Sequence, residues 1–561
     1  MRPSVVRHRS YLRGAFLVEH HPAGIPRRGP AIVILPSLGY EDTCAYRPLR
    51  VLADTLAQEG HVVVRVDWPG LGDSVGDDAS PDLVPQMIAV VGEVVASLRA
   101  RGASQVAGIG LRAGALFALT SAGFDDLVLW APPLTGKAFL REERAFHKMA
   151  ERYFGTTPEA VAPVPEGAVE AGGFLYRAET VAALEALAAA PLVATAGLTR
   201  VLLIPRDGAD PPPALLAAFG AAGTAVVLGP AEGLADLLEN PYQSTVLPSV
   251  QDAILRFFAG GDAGLPIPPP PRGAPLALPG GVTEMPWVAD GATGQLSGIV
   301  CLPAGGAKAG AAWTVFYNAG GIRRSGPNRL WTLAARRLAA QGTPSLRFDV
   351  HDVGDSDGAT LPHHDLDEMY SPATMDDAVR AIDAVGLAGG SAVDVVGLCS
   401  GAFFAVHAAD RRPVRRALLI NGPAYVWNEE ARTAGVTSQV TRSLLDGRRW
   451  KRLLTGRIDR RFLVEALTQE SARTVTRAWG RLRGAAPPDE VTELIRRVEG
   501  RGTRLHFLCS EGDPCIAYLD AHLAPDAAAR RTVIPGVDHT IRPLWAHARV
   551  LDLIVGPHFS D

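Results

Sequence analysis

A thiol stands between two glycines at Gly397-Leu398-Cys399-Ser400-Gly401, the spacing of a sharp turn that carries a nucleophile from the end of a strand into a helix. The demand behind this pattern is steric. The turn is strained and the helix crosses close to the strand, so the neighbours of the nucleophile lack bulk. There Cys399 faces the free N–H groups and positive dipole end of a helix, which favour a thiolate. Acyl chemistry then needs a base to take the thiol proton and an acid to orient the base, both on loops after later strands. The strand-like run Arg504-Leu-His-Phe-Leu-Cys509 leads into Ser-Glu-Gly-Asp-Pro and leaves Asp513 in a loop, and His539 lies just past the final strand-like run that starts at Thr532. Glu511 is the reserve acid, and Asp538, beside the base, reads as a turn residue. A plainer reading gives the glycines to helix–sheet packing, Asp513 to an Asp-Pro turn and His539 to a helix cap. The negative oxygen of a tetrahedral intermediate needs fixed N–H donors, and the backbone of Ser400 and of Gly320, Gly321 or Ile322 is nominated for them.

The elements that must hold these residues are written twice. Ala31 to Glu41 and Trp313 to Arg323 are apolar runs ending in a glycine-containing loop. Val62 to Ser74 and Pro344 to Ser356 share an aspartate at a strand end and a terminal Gly-Asp-Ser. Val106 to Leu119 and Asp394 to Val406 are each a buried strand, a glycine-flanked turn and an Ala-rich helix, and Gly14 to Gly24 matches Gly298 to Gly305 more loosely. Strands alternating with helices in this order predict two mainly parallel sheets with helices on both faces. A proline-rich stretch near Gly260 to Gly280 separates the copies, giving domains at 1–260 and 281–561 with a linker at 261–280. At 561 residues the chain exceeds one ordinary hydrophobic core.

Composition narrows the function. Apolar residues make up 47% and the net charge is −4, a soluble globular balance that gives no support to a nucleic-acid partner. The basic segment Met1 to Tyr11 leads into no long apolar core and no run approaches membrane-spanning length, so a cytoplasmic protein without a membrane partner is expected. Five scattered cysteines without metal-ligand spacing fit a reducing compartment and call for no metal or cofactor. The oligomeric state is left open.

From about Gly298 onward the chain resembles an α/β hydrolase with cysteine where most members carry serine, as in dienelactone hydrolases, polyhydroxyalkanoate synthases and carrier-protein aminoacyl shuttles. The resemblance implies an α/β fold of two tandem hydrolase-type domains, a Cys399–His539–Asp513 triad, and a helical cap inserted at about 424–502. In the first copy the turn reads Gly110-Leu111-Arg112-Ala113-Gly114, and the closing stretch Val226 to Gly233 has no histidine. A guanidinium cannot attack a carbonyl, so this half is expected to be catalytically vacant. Arg112 is then either an anion site in the old pocket or half of a salt bridge with an acid such as Asp207.

The cap segment holds Arg448, Arg449, Lys451, Arg452, Arg457, Arg460 and Arg461 with Trp450 and Trp479. It reads either as a solvated helical face or as a docking surface for an acidic acyl carrier protein or coenzyme A. Thiol-to-thioester exchange is nearly balanced in energy, so the expected activity is an acyltransferase or thioesterase. An ester or lactone hydrolase of dienelactone type is the rival, and a non-catalytic scaffold the third reading.

Overall fold

The computed structural model describes residues 4–121, 123–151, 163–260, 266–271, 273–358, 366–428, 431, 489–523 and 530–556. It is an α/β protein with two large, mainly parallel sheets. In the first half the strands are β1 (Ser4–Leu12), β2 (Ala15–Ala23), β3 (Ala31–Leu35), β4 (Val63–Val66), β5 (Val106–Leu111) and β6 (Asp126–Trp130). A short hairpin follows, β7 (Val169–Ala171) and β8 (Phe174–Tyr176), and then β9 (Arg200–Ile204) and β10 (Ala225–Leu228). The eight-stranded order is β1-β2-β4-β3-β5-β6-β9-β10. Only β1–β2 and β2–β4 pair antiparallel. The central strands are continuous apolar runs buried on both faces, AIVIL in β3 and VAGIGL in β5. That is the pattern of parallel strands covered by helices on each side.

The second half repeats the arrangement. Its strands are β11 (Leu276–Ala277), β12 (Thr283–Asp290), β13 (Gln295–Leu302), β14 (Ala312–Tyr317), β15 (Ser345–Asp349), β16 (Ala392–Leu398), β17 (Arg416–Ile420), β18 (Arg504–Ser510) and β19 (Arg531–Ile534). They are ordered β11-β12-β13-β15-β14-β16-β17-β18-β19, so apart from the edge strand β11 the two sheets have the same order. The expected linker carries β11, which joins this sheet, while Ile267 packs in the core of the first half.

The shared Gly-Asp-Ser sequences have a common physical job. Ser74 Oγ donates to Asp67 O (2.7 Å) and accepts from Phe16 N (2.8 Å). Ser356 Oγ donates to Asp349 O (2.6 Å) and accepts from Ser297 N (2.9 Å). Asp73 N and Asp355 N donate to the carboxylates of Asp67 and Asp349 at 3.0 and 3.1 Å. Each loop is thereby tied both to its own strand end and to the neighbouring antiparallel strand.

The same loops join the halves. Arg65 of β4 pairs with Asp355, and Arg347 of β15 pairs reciprocally with Asp73 (3.1 Å). Arg324 reaches Asp73, Asp349 and Asp355 at 2.8, 2.6 and 2.9 Å. Arg323 bridges Asp42 and Asp67 at 2.8 and 2.6 Å. Arg329 donates to the carbonyls of Gly70, Gly72, Ser74 and Gly76. The Arg324 and Arg347 side chains are fully buried, so their desolvation is offset only while every partner stays in place.

Helix Leu83–Ala100 corrects one expectation: by length and hydropathy it is apolar enough to span a membrane. Leu83, Met87, Val90, Val94 and Leu98 lie along its buried stripe and pack in the core of the first half, as in a core helix.

Candidate active site

Strand β16 runs buried from Val393 into Cys399, whose backbone sits at φ 58°, ψ −118°, and helix Ser400–Arg411 begins at once. The glycines answer the steric demand directly. A Cβ on Gly397 would overlap the Gly401 carbonyl, and one on Gly401 would press on the carbonyl of Asn318 at 2.5 Å. Cys399 is partly exposed, whereas Cys44, Cys301, Cys509 and Cys515 are buried, and none is in a disulfide.

Base and acid meet beside it. His539 Nδ1–H donates to Asp513 Oδ2 at 2.7 Å, and the imidazole and the Cys399 thiol act on each other electrostatically. Burial by itself would push the thiol up. The charge of His539, with the Tyr242 hydroxyl and the Ser400 N–H, outweighs burial and brings it below its ordinary value. Burial likewise opposes the imidazolium, but Cys399 and Asp513 raise His539 to about 10. Asp513 is held below the usual carboxylate range against the effect of burial, by His539 and by the Cys515 N–H at 2.9 Å. It therefore both shapes the Asp-Pro turn and orients the base. Together these shifts favour passage of the thiol proton to the imidazole.

The reserve acid is elsewhere: Glu511 accepts from Gly536 N (3.2 Å). Asp538 is a turn residue, accepting from Arg542 N and Nε (2.7 Å each). Asn421, at the end of β17, was missed as a functional residue. Its Nδ2 donates to Ser510 Oγ and to His539 O (2.8 Å each), and its Oδ1 accepts from Ser510 N (2.7 Å). One amide thus fixes the base loop against the acid strand. A polar residue at the C-terminal end of a central parallel strand was the available signal.

The four nominated amides divide. Gly320 N donates to Ser400 Oγ (2.8 Å) and Ile322 N to Ala319 O (3.1 Å), so both are already committed. Ser400 N–H acts on the Cys399 sulfur, and Gly321 N has no such bond among the described residues. The Tyr242 hydroxyl, from the first half, lies 4.0 Å from Cys399 Sγ.

In the first half Arg112 stands at φ 52°, ψ −116°, within a few degrees of Cys399. Its side chain is buried against Glu41 (3.1 Å) and Glu142 and also donates to Ala131 O. Of the two readings of Arg112, the ion pairs with two carboxylates match the salt bridge. The expected partner is corrected. Asp207 instead accepts from Leu234 N and Ala235 N (2.8 Å each) and caps a short helix at the place where the other half carries its histidine. Arg448, Arg449, Arg452 and the greater part of the expected cap lie outside the described residues, while its final stretch forms helix Glu490–Gly500.

No protein-family model and no curated protein matches the chain. Solved structures similar to it are α/β hydrolases. Dienelactone hydrolase from Anabaena variabilis is 13% identical, over 49% of this chain and 96% of the other, with TM-score 0.29. Acetyl xylan esterase from Paenibacillus sp. R4 is 18% identical, over 49% and 84%, with TM-score 0.30. An alpha-beta serine hydrolase homologue from Coxiella burnetii is 13% identical, over 48% and 95%, with TM-score 0.30.

Proposed function

We propose that the chain is two copies of one hydrolase-type unit, and that the second copy is an acyltransferase or thioesterase working through a thioester on Cys399. The observation that carries this reading is the partly exposed thiol in its left-handed turn, lowered in pKa, with His539 held on Asp513 beside it. His539 takes the thiol proton. The sulfur lone pair then forms a C–S bond to the acyl carbon while the C=O π pair moves onto oxygen. Collapse restores the carbonyl and expels the donor thiolate, which takes the proton from His539. A second nucleophile, deprotonated by His539, repeats these steps on the Cys399 thioester and releases the acyl group.

Cysteine supports transfer between thiols because one thioester is exchanged for another with little change in energy. The basic, Trp-containing segment around Arg448, Arg449 and Arg452 supports a negatively charged carrier, an acidic acyl carrier protein or coenzyme A, on sequence grounds alone. The free thiols suit a reducing, cytoplasmic setting.

Intact-protein mass spectrometry after incubation with acetyl-coenzyme A and acyl-carrier thioesters tests the proposal. The parent gains one acyl group and Cys399→Ala gains none. Faster loss of the adduct to added thiol than to water marks a transferase, and the reverse marks a thioesterase. Labelling by esters or lactones in place of thioesters would transfer the assignment to a dienelactone-type hydrolase. No adduct from any of them would leave a binding or scaffold protein.

A further inference from the structure

Tyr242 belongs to the first half by sequence and to the second half by position. Asn240 Oδ1 accepts from Tyr242 N (3.0 Å) and Gln243 N (3.1 Å), a side-chain-closed turn that presents the tyrosine outward from its own half. The ring packs on the core of the second half, and the hydroxyl ends 4.0 Å from Cys399 Sγ. It rests directly on Gly320, where any Cβ would overlap the phenol oxygen. Gly320 is also left-handed, at φ 59°. The bare glycine therefore makes room for a side chain from the other half.

Position and hydrogen-bond supply point the same way. An acyl carbon bonded to Cys399 places its oxygen next to the sulfur, and a useful donor stands about 2.7–3.1 Å from that oxygen. A hydroxyl 4.0 Å from the sulfur, on the loop nominated to receive the oxygen, is within reach of it. Two of the three nominated amides of that loop, Gly320 and Ile322, spend their N–H groups on Ser400 Oγ and Ala319 O. Of the nominated loop amides only that of Gly321 keeps its N–H, and the phenol of Tyr242 rests on the same loop at Gly320.

We infer that Tyr242 is a catalytic residue of the Cys399 site, contributed by the first half, whose hydroxyl donates a hydrogen bond to the carbonyl oxygen of the acyl group as negative charge develops there. The inference rests on the acyl-enzyme reading above. Tyr242 transfers no proton: burial, and then the neighbouring Cys399, hold its hydroxyl far above the usual phenol range, so it stays protonated beside the thiolate. The vacant half then has a function that needs no nucleophile of its own.

Tyr242→Phe in the full chain removes one oxygen and keeps the ring. Two rates are measured on parent and variant: acylation of Cys399 by acetyl-coenzyme A and p-nitrophenyl acetate in single turnover, and the plateau rate of its alkylation by iodoacetamide. Alkylation forms no oxyanion. The expected result is acylation slowed about 100-fold with plateau alkylation within about twofold of the parent. Equal acylation in both proteins would overturn the inference while leaving the acyl-enzyme intact. A parallel fall in both rates would also overturn it, since Tyr242 would then act by placing the thiol. A parent whose Cys399 neither acylates nor alkylates faster than Cys301 would remove the acyl-enzyme reading and this inference together.

Discussion

Cys399 and Arg112 occupy the same strained backbone conformation at the same point of two sheets with the same strand order, yet only one stands beside a histidine. A non-glycine residue in such a conformation costs on the order of 1–3 kcal/mol, and at Arg112 no reactive group accounts for that cost. The strain is therefore a property of how the helix meets the strand, enforced by Gly110 and Gly114 in one half and by Gly397 and Gly401 in the other. Reactivity comes from what surrounds the turn. At Cys399 that is an imidazole fixed by a carboxylate. At Arg112 it is two carboxylates, which turn the position into a buried ion pair.

The sharpest way to break the contrast is to make the half with the proposed nucleophile resemble the other. His539→Asn should lower Cys399 acylation by about 10³-fold or more, read as a single-turnover rate. The same variant moves the pH profile. In the parent, Cys399 stays a thiolate below the range where an ordinary thiol protonates, and alkylation falls only as pH drops through its lowered value. Without the imidazolium the profile shifts upward to about 8.5 or above, since burial remains. Cys301, pushed up to about 12 mainly by burial, is the internal standard and should alkylate far more slowly in both proteins. An unshifted profile would separate the histidine from the thiol.

A smaller effect is expected where the halves are alike. Arg324→Met leaves Asp73, Asp349 and Asp355 buried without their shared cation and should cost about 3–5 kcal/mol in urea unfolding. An unchanged midpoint would mean that the contact between halves is open in solution. Smallest is Asp207→Ala, which removes a helix cap worth about 1 kcal/mol and should leave Cys399 acylation at the parent rate. Loss of acylation there would show that the vacant half's acid still serves the chemistry.

What could be read from sequence follows from how local each signal is. The Cys399 turn was legible because its two glycines flank the nucleophile at fixed spacing, although Gly401 answers to the distant Asn318 carbonyl, and the order Cys399, Asp513, His539 because each follows a recognisable strand. The duplicated Gly-Asp-Ser was legible as a pattern but not as a purpose, since its bonds close on strands far away in the chain. Arg323, Arg324 and Arg347 looked like ordinary charged residues, and their partners in the first half lie about 250 to 280 positions away. No spacing rule reaches that far. Tyr242 lies 157 positions from Cys399 and was hidden in the same way, whereas Glu41 and Glu142, 71 and 30 positions from Arg112, took the place expected of Asp207 with no pattern to mark them. Gly320 and Ile322 were nominated on loop position, which does not say which way an N–H points.

The reciprocal pairing of Arg65 with Asp355 and Arg347 with Asp73 bears on inheritance. A lineage that changes Arg347 must also change Asp73 or Glu284, which pairs with the same guanidinium at 2.8 Å, or strand a charge in the interior. Each half therefore restrains the drift of the other, and aligned descendants of this chain should show these positions changing as a set.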